Sequence, residues 1–120
     1  MAFNIAVKRV YEPPAPDDGQ RVLVDRIWPR GVSKEHAGLA LWLKEIAPSD
    51  ELRKWFGHEP ARWVEFQERY RAELDGNGEA VGELRGLISH GKVTLLYGAH
   101  DEAYNNAVAL AGYLSASAHN

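Results

Sequence analysis

One short run restricts the fold of this sequence more than any other feature, the segment Val93–Tyr97. It carries no charge, and four of its five side chains are large and mainly apolar. Runs of this kind are typical of strands buried on both faces, which occur in parallel sheets covered by helices. The segment therefore favours an α/β fold.

Helical patterns surround this strand. Trp63, Phe66, Tyr70 and Leu74 recur at intervals of three or four residues and give one continuous apolar face. Shorter stripes predict helices near residues 50–56, 81–90 and 107–114, whereas residues 4–10 and 21–25 read as strands and residues 39–46 as strand or irregular. Together they predict a single compact α/β domain, a mixed or mostly parallel sheet flanked by helices.

Length and composition agree with one ordinary domain over residues 1–120. The chain has 120 residues, 45% hydrophobic and 26% charged, as in globular proteins. Residues 1–10 lack the apolar region of a signal peptide, and no apolar run could span a bilayer, so we expect a cytoplasmic protein. The small polar residues 115–120 are expected to fray.

Composition also excludes several chemistries. The chain has no cysteine, which rules out disulfides, thiol nucleophiles and thiolate metal sites. His100 and Asp101 are adjacent and lack a third ligand, so we expect no metal and no cofactor. The net charge of −3 disfavours nucleic acid as a partner. The oligomeric state is not predicted.

In parallel sheets, ligands lie beyond the carboxyl ends of the strands, which directs attention to residues 25–31. Asp25, Arg26, Trp28 and Arg30 lie in this segment. Arginine binds carboxylates and phosphates in a bidentate manner, and tryptophan can stack on a planar ligand. One interpretation is therefore an anionic ligand held by these side chains. The other is structural: Asp25 pairs with one arginine, and Trp28 joins the core.

A second candidate segment, residues 55–58, includes Trp55 and His58. Histidine exchanges a proton near neutral pH, so His58 is a candidate acid, base or polar ligand contact, and Trp55 a stacking surface. Alternatively, His58 or Glu59 caps the helix that begins near Pro60, because helix ends need partners for their free N–H groups.

The third candidate segment follows the apolar strand. Tyr97 carries a hydroxyl at the strand end, which makes it a further ligand contact and, with His58 and Asp25, a candidate catalytic residue. Asn105 and Asn106 are suited to capping the last helix, although either amide could also reach a ligand.

Extended stretches of the chain resemble the bacterial YeaO-like proteins, a family of unknown function. The resemblance is carried by Arg21-Val-Leu-Val-Asp-Arg-Ile-Trp-Pro-Arg-Gly-Val-Ser-Lys34 and continues through residues 41–49, 52–58, 63–70 and 93–99. It implies a compact α/β fold in which residues 25–31 and 55–58 converge on a cleft, and it implies no particular reaction.

The resemblance also limits the chemistry. More distant relatives resemble rhodanese-like or phosphatase-like domains and can carry a cysteine near the position of Tyr97, but this chain has none, so thiol-based transfer is not implied. Close relatives often have a histidine where this chain has Asn106, a difference that weakens any acid–base role for that residue.

Three hypotheses follow. In the first, the domain is a small-molecule binding module or an uncharacterised enzyme whose cleft holds an anion. In the second, it is a regulatory module that contacts DNA or a protein partner through the same arginine-rich loop. In the third, the charged and aromatic residues form an internal network whose polar groups are all satisfied.

Overall fold

Strand β4 (Val93–Tyr97) lies inside a four-stranded parallel sheet in the computed structural model, which describes residues 4–117. The other strands are β1 (Ile5–Arg9), β2 (Gln20–Leu23) and β3 (Leu41–Trp42), and the order across the sheet is β1-β4-β2-β3. Each of these pairings is parallel. The prediction of an α/β fold with a mostly parallel sheet is confirmed.

Five α-helices follow or connect these strands within the described residues. They are α1 (Lys34–Ala37), α2 (Asp50–Phe56), α3 (Trp63–Asp75), α4 (Gly78–His90) and α5 (Asn106–Ser117). Short 3-10 helices occupy Pro16–Asp18, Lys44–Ile46 and Pro60–Arg62. Within residues 4–117, none of the helices has the length and apolarity needed to cross a membrane.

Several helix ends form as their sequences predict. The Ser33 and Ser49 side chains cap α1 and α2 by accepting from backbone N–H groups, and Gly57 ends α2 in a left-handed conformation. Residues 115–117 continue α5, and the expected fraying of residues 115–120 stays a prediction. The remainder of that segment, residues 118–120, lies outside the described residues.

The two faces of the sheet have different cores. On one face, Val22, Val93 and Leu95 join the large apolar cluster formed with α2, α3, α4 and α5. On the other face, Leu23 and Leu96 belong to a smaller cluster, against which α1 and the loops after β1 and β2 are packed. Because successive side chains of a strand point to opposite faces, both clusters are built from the same two strands.

The second face also holds a buried ion cluster centred on Asp18. Its carboxylate accepts hydrogen bonds from Arg21 at 2.7 Å, from Lys8 at 3.1 Å and from the Ala15 N–H at 3.0 Å. The Thr94 hydroxyl donates to the Asp18 carbonyl at 2.7 Å. Burial alone raises the pKa of Asp18, but these donors outweigh it and lower the pKa to about 2. The cluster links β1, β2 and β4 with the 3-10 helix between them.

We expect Asp18→Asn to destabilise the domain by about 3 kcal/mol at neutral pH, because Arg21 would keep a buried charge without its carboxylate. Because the pKa of Asp18 is lowered, its ionised carboxylate stabilises the fold at pH values above the ordinary carboxyl pKa. This contribution of about 2 kcal/mol is lost as the pH falls toward 2. Urea unfolding across this pH range should show that the free energy of unfolding of the parent falls at acidic pH, and that the variant loses less. Glu65→Gln, which breaks an exposed pair with Arg69, is the control and should cost less than about 1 kcal/mol.

Candidate functional site

A cavity of about 180 Å³ opens beyond the carboxyl ends of β2 and β4, where the parallel sheet predicts a site. Polar and charged groups line it together with apolar walls. The lining residues are Asp25, Arg26, Ile27, Ala47, Pro48, Arg53, Phe56, His58, Phe66, Ala99 and Asn106. Residues that follow two strands therefore meet the end of α2 and the start of α5 in one place.

Asp25 connects the chain segments that form the cavity. One carboxylate oxygen accepts from the Gly98 N–H at 2.9 Å, and the other accepts from the Asn106 amide at 3.1 Å. Burial raises the pKa of the Asp25 carboxyl above its ordinary value, and the two hydrogen bonds and the nearby His58 and Arg53 offset part of that increase. The carboxylate thus joins the end of β2 to the end of β4 and to α5.

Two arginines contribute positive charge to the cavity. Arg26 donates to the carbonyl oxygens of Ala47 at 3.2 Å and Pro48 at 3.3 Å, which fixes its guanidinium without neutralising it. Arg53 lies on α2 and makes an exposed contact of 3.4 Å with Asp50. The structural alternative in which Asp25 pairs with Arg26 or Arg30 is wrong, because neither pair is among the ion pairs of the described residues.

His58 lies at the mouth of the cavity in an unusual backbone conformation. Its φ of 57° places it in the left-handed region, directly after Gly57 with φ 52°. Residues with a Cβ rarely adopt this conformation, and functional sites are enriched in such strain. The imidazole contacts the Phe56 ring at 5.6 Å between centroids. Neither His58 nor Glu59 caps the following 3-10 helix through its side chain, so that alternative is wrong.

Four of the predicted ligand contacts lie outside the lining of this cavity. Arg30 is exposed, and its carbonyl accepts from the Tyr11 hydroxyl at 2.9 Å. Trp28 donates from its indole N–H to the Val32 carbonyl at 2.7 Å and packs against Trp42. The structure does not bring these two residues together with Arg26 at the cavity, because the turn after Arg26 carries Trp28 to the second face of the sheet and Arg30 to the surface.

Trp55 and Tyr97 are the other two. Trp55 is partly buried against the large core cluster, and the guanidinium groups of Arg62 and Arg69 contact its ring at 5.4 and 4.3 Å from the centroid. Tyr97 is buried in the large core cluster, and burial raises the pKa of its hydroxyl, assisted by Glu102. Neither residue lines the cavity, and their role as ligand contacts stays a prediction.

Arg53 is not among the ligand contacts that the sequence predicts, and Asn106 is predicted chiefly as a helix cap. Arg53 lies in the predicted short helix near residues 50–56, and because it precedes Phe56 by three residues, it shares the same face of α2. Asn106 was considered chiefly as a cap, but its amide donates to Asp25 and to the Val24 carbonyl at 2.9 Å. The cap of α5 is instead Asn105, whose side chain accepts from the Val108 N–H at 2.9 Å.

The arrangement favours electrostatic recognition. It combines two guanidinium groups, an imidazole and a carboxylate with apolar walls, which is the usual composition of a small-molecule site. Among the residues that the structure describes, no group of three or more histidine, aspartate or glutamate side chains could hold a metal ion.

Comparison with known proteins gives relatives for almost the whole chain. Residues 4–120 match the family model described as the inactive DUF488-N3 subclade. The chain is 46% identical over 112 residues to an uncharacterized protein of Mycobacterium tuberculosis (strain H37Rv), covering 93% of this chain and 94% of that protein. It is 44% identical over 112 residues to the uncharacterized protein YeaO of Escherichia coli (strain K12), covering 93% and 97%. No solved structure matches significantly. The resemblance to YeaO-like proteins is confirmed.

We expect Asn106→Ala to destabilise the domain by about 1–3 kcal/mol, because the Val24 carbonyl and Asp25 each lose a donor. The pKa of Asp25 should rise further, since one bond to its ionised form is gone. The stability difference from the parent should therefore grow as the pH increases from acidic to neutral values. Denaturant unfolding and an NMR titration of the Asp25 carboxyl measure both effects. Asn77→Ala, which removes one exposed bond to the Glu45 carbonyl, should change stability by no more than about 1 kcal/mol.

His58→Gly should stabilise the domain by up to about 1 kcal/mol, because glycine adopts a positive φ without the steric cost of a Cβ. Thermal unfolding provides the measurement. Glu59→Gly is the matched control, since Glu59 has an extended backbone with φ −82°, and it should be neutral or destabilising. Equal effects of the two substitutions would contradict backbone strain at His58.

Proposed function

The chain belongs to the family described as the inactive DUF488-N3 subclade, and we propose that it binds a small organic anion and does not catalyse a reaction. The word inactive in the family description supports the second half of the proposal. The first half rests on one observation, the cavity at the strand ends that is lined by both Arg26 and Arg53. Guanidinium groups are the side chains best suited to carboxylate recognition.

The lining chemistry also supports binding without catalysis. Among the described lining residues, none carries a hydroxyl, thiol or primary amine that could serve as a nucleophile. Asp25 accepts its hydrogen bonds from Gly98 and Asn106, so it does not orient His58 as a paired general base. The titratable groups are thus arranged for electrostatic contact.

Several features favour an anion over a cation as the ligand. The carbonyl oxygens that hold Arg26 leave its charge in place, and the exposed contact between Arg53 and Asp50 is weak enough to be exchanged for a ligand. Helix α5 begins at Asn106, so its positive end also lies at the cavity. These contributions favour a negatively charged ligand group near Arg26 and Arg53.

The size of the cavity limits the ligand. At about 180 Å³ it lies below the range of pockets that hold drug-sized ligands, which begin near roughly 300 Å³. Its walls include the apolar side chains Ile27, Phe56 and Phe66. A small carboxylate with a short apolar group fits these walls better than a nucleotide or a polyanion.

The regulatory alternative would require Arg26 and Arg30 to act together from one exposed surface. The contacts of Arg26 with the Ala47 and Pro48 carbonyls do not favour that arrangement, because they hold its guanidinium at the cavity. We therefore propose the cavity, and not the arginine-rich loop as a whole, as the binding site.

The proposal is tested by thermal shift and calorimetry with a panel of small carboxylates: alanine, valine and leucine, their 2-hydroxy analogues, and the unsubstituted acids. At a hundred times its dissociation constant, a carboxylate should add about 2.7 kcal/mol of stability, on the order of 10 °C in Tm. Arg53→Met should abolish the shift. Arg30→Met, an arginine outside the cavity, is the matched control and should keep it.

Two outcomes would contradict this function. In one, no carboxylate of the panel stabilises the parent protein. In the other, Arg30→Met and Arg53→Met lose the shift to the same extent, which would place the binding surface on the loop outside the cavity.

A further inference from the structure

The cavity contains a negative group as well as positive ones. The Asp25 carboxylate lies in its lining, and both of its hydrogen-bond donors, Gly98 and Asn106, are neutral. No ion pair among residues 4–117 includes Asp25. An ionised carboxylate has about four lone-pair directions, of which these donors use two. Asp25 thus keeps acceptor capacity at the cavity.

Two of the positive groups differ from the negative group in exposure. Arg53 and His58 are exposed, whereas Asp25 is partly buried, as is Arg26. An anion without a donor would bind the guanidinium groups but would also face the carboxylate. A ligand that carries a donor beside its anionic group would satisfy both ends of the cavity, because each charge would meet its opposite.

We propose that the ligand is a small zwitterion, an α-amino acid with a short apolar side chain, and that Asp25 determines this specificity. The inference rests on the proposed anion-binding function and deepens it. The carboxylate of the ligand binds at Arg53 and His58, its ammonium donates to Asp25, and its side chain contacts the apolar wall formed by Phe56 and Phe66.

The dimensions of the cavity agree with this ligand class. Its volume of about 180 Å³ equals about six water molecules at liquid density, the size of a small amino acid. The two charged ends of an α-amino acid are also only a few bonds apart, which suits a small cavity that Asp25, Arg53 and His58 line together.

The experiment compares ligands that differ at one group. Leucine, 2-hydroxy-4-methylpentanoate, 4-methylpentanoate and 3-methylbutylamine retain the same branched chain, while the ammonium or the carboxylate is changed or removed. The same series is measured for valine and alanine by calorimetry on the parent protein. Within the series that binds best, the amino acid should bind about tenfold or more tightly than the unsubstituted acid, with the hydroxy acid between them and the amine weakest.

Asp25→Asn provides the residue-level test. It should reduce amino-acid binding by about tenfold or more while leaving the unsubstituted acid unchanged or tighter, because the repelling charge is gone. The comparison between ligands on the parent protein remains decisive if the variant does not fold, since it needs no substitution. Circular dichroism of the variant establishes which case applies.

The outcomes separate this inference from the function beneath it. If the unsubstituted acids bind as tightly as the amino acids and depend on Arg53, anion binding stands and the zwitterion assignment is overturned. If no member of any series binds, both are overturned. Binding of the amines as tight as that of the amino acids would also contradict the assignment, because the ligand carboxylate would then contribute nothing.

Discussion

The burial of β4 between β1 and β2 is the constraint on which the rest of this structure depends. Val93 and Leu95 point to one face of the sheet and Leu96 to the other, and all three are fully buried. Covering the first face requires α2 to α5, and covering the second requires α1 with the long loop that contains Asp18. The buried ion cluster of Asp18 and Arg21 follows from this, because the loop packs where β2 and β4 present polar side chains, Arg21 and Thr94.

The same strand arrangement produces the cavity. Because β2 and β4 are adjacent and parallel, their carboxyl ends bring Asp25 and Gly98 together, and the hydrogen bond between them closes that edge of the sheet. The Asn106 amide also donates to Asp25, which brings the start of α5 to the same place. One carboxylate therefore connects three segments and also lines the cavity.

The predictable residues of the site are those that directly follow the end of a strand or a helix. Asp25 and Arg26 follow β2 directly, and His58 follows a helix that ends at a glycine, so their approach to one edge is expected from a parallel sheet. Trp28 and Arg30 lie only a few residues further, but the backbone turns there, and neighbours in sequence diverge in space. Arg53 could have been found from its helical spacing to Phe56, had the cavity-facing side of α2 been known.

The sequence by itself determined the α/β class, the buried central strand, most helix limits and the absence of thiol chemistry. These depend on local periodicity, on capping residues and on composition, which act over a few residues. Only the tertiary structure decided that Arg26 and Arg53 line one cavity, that Trp55 contacts two exposed arginines, and that Tyr97 belongs to the core. The physical reason is that side chains distant in sequence meet through strand order and helix packing, and no local pattern encodes either.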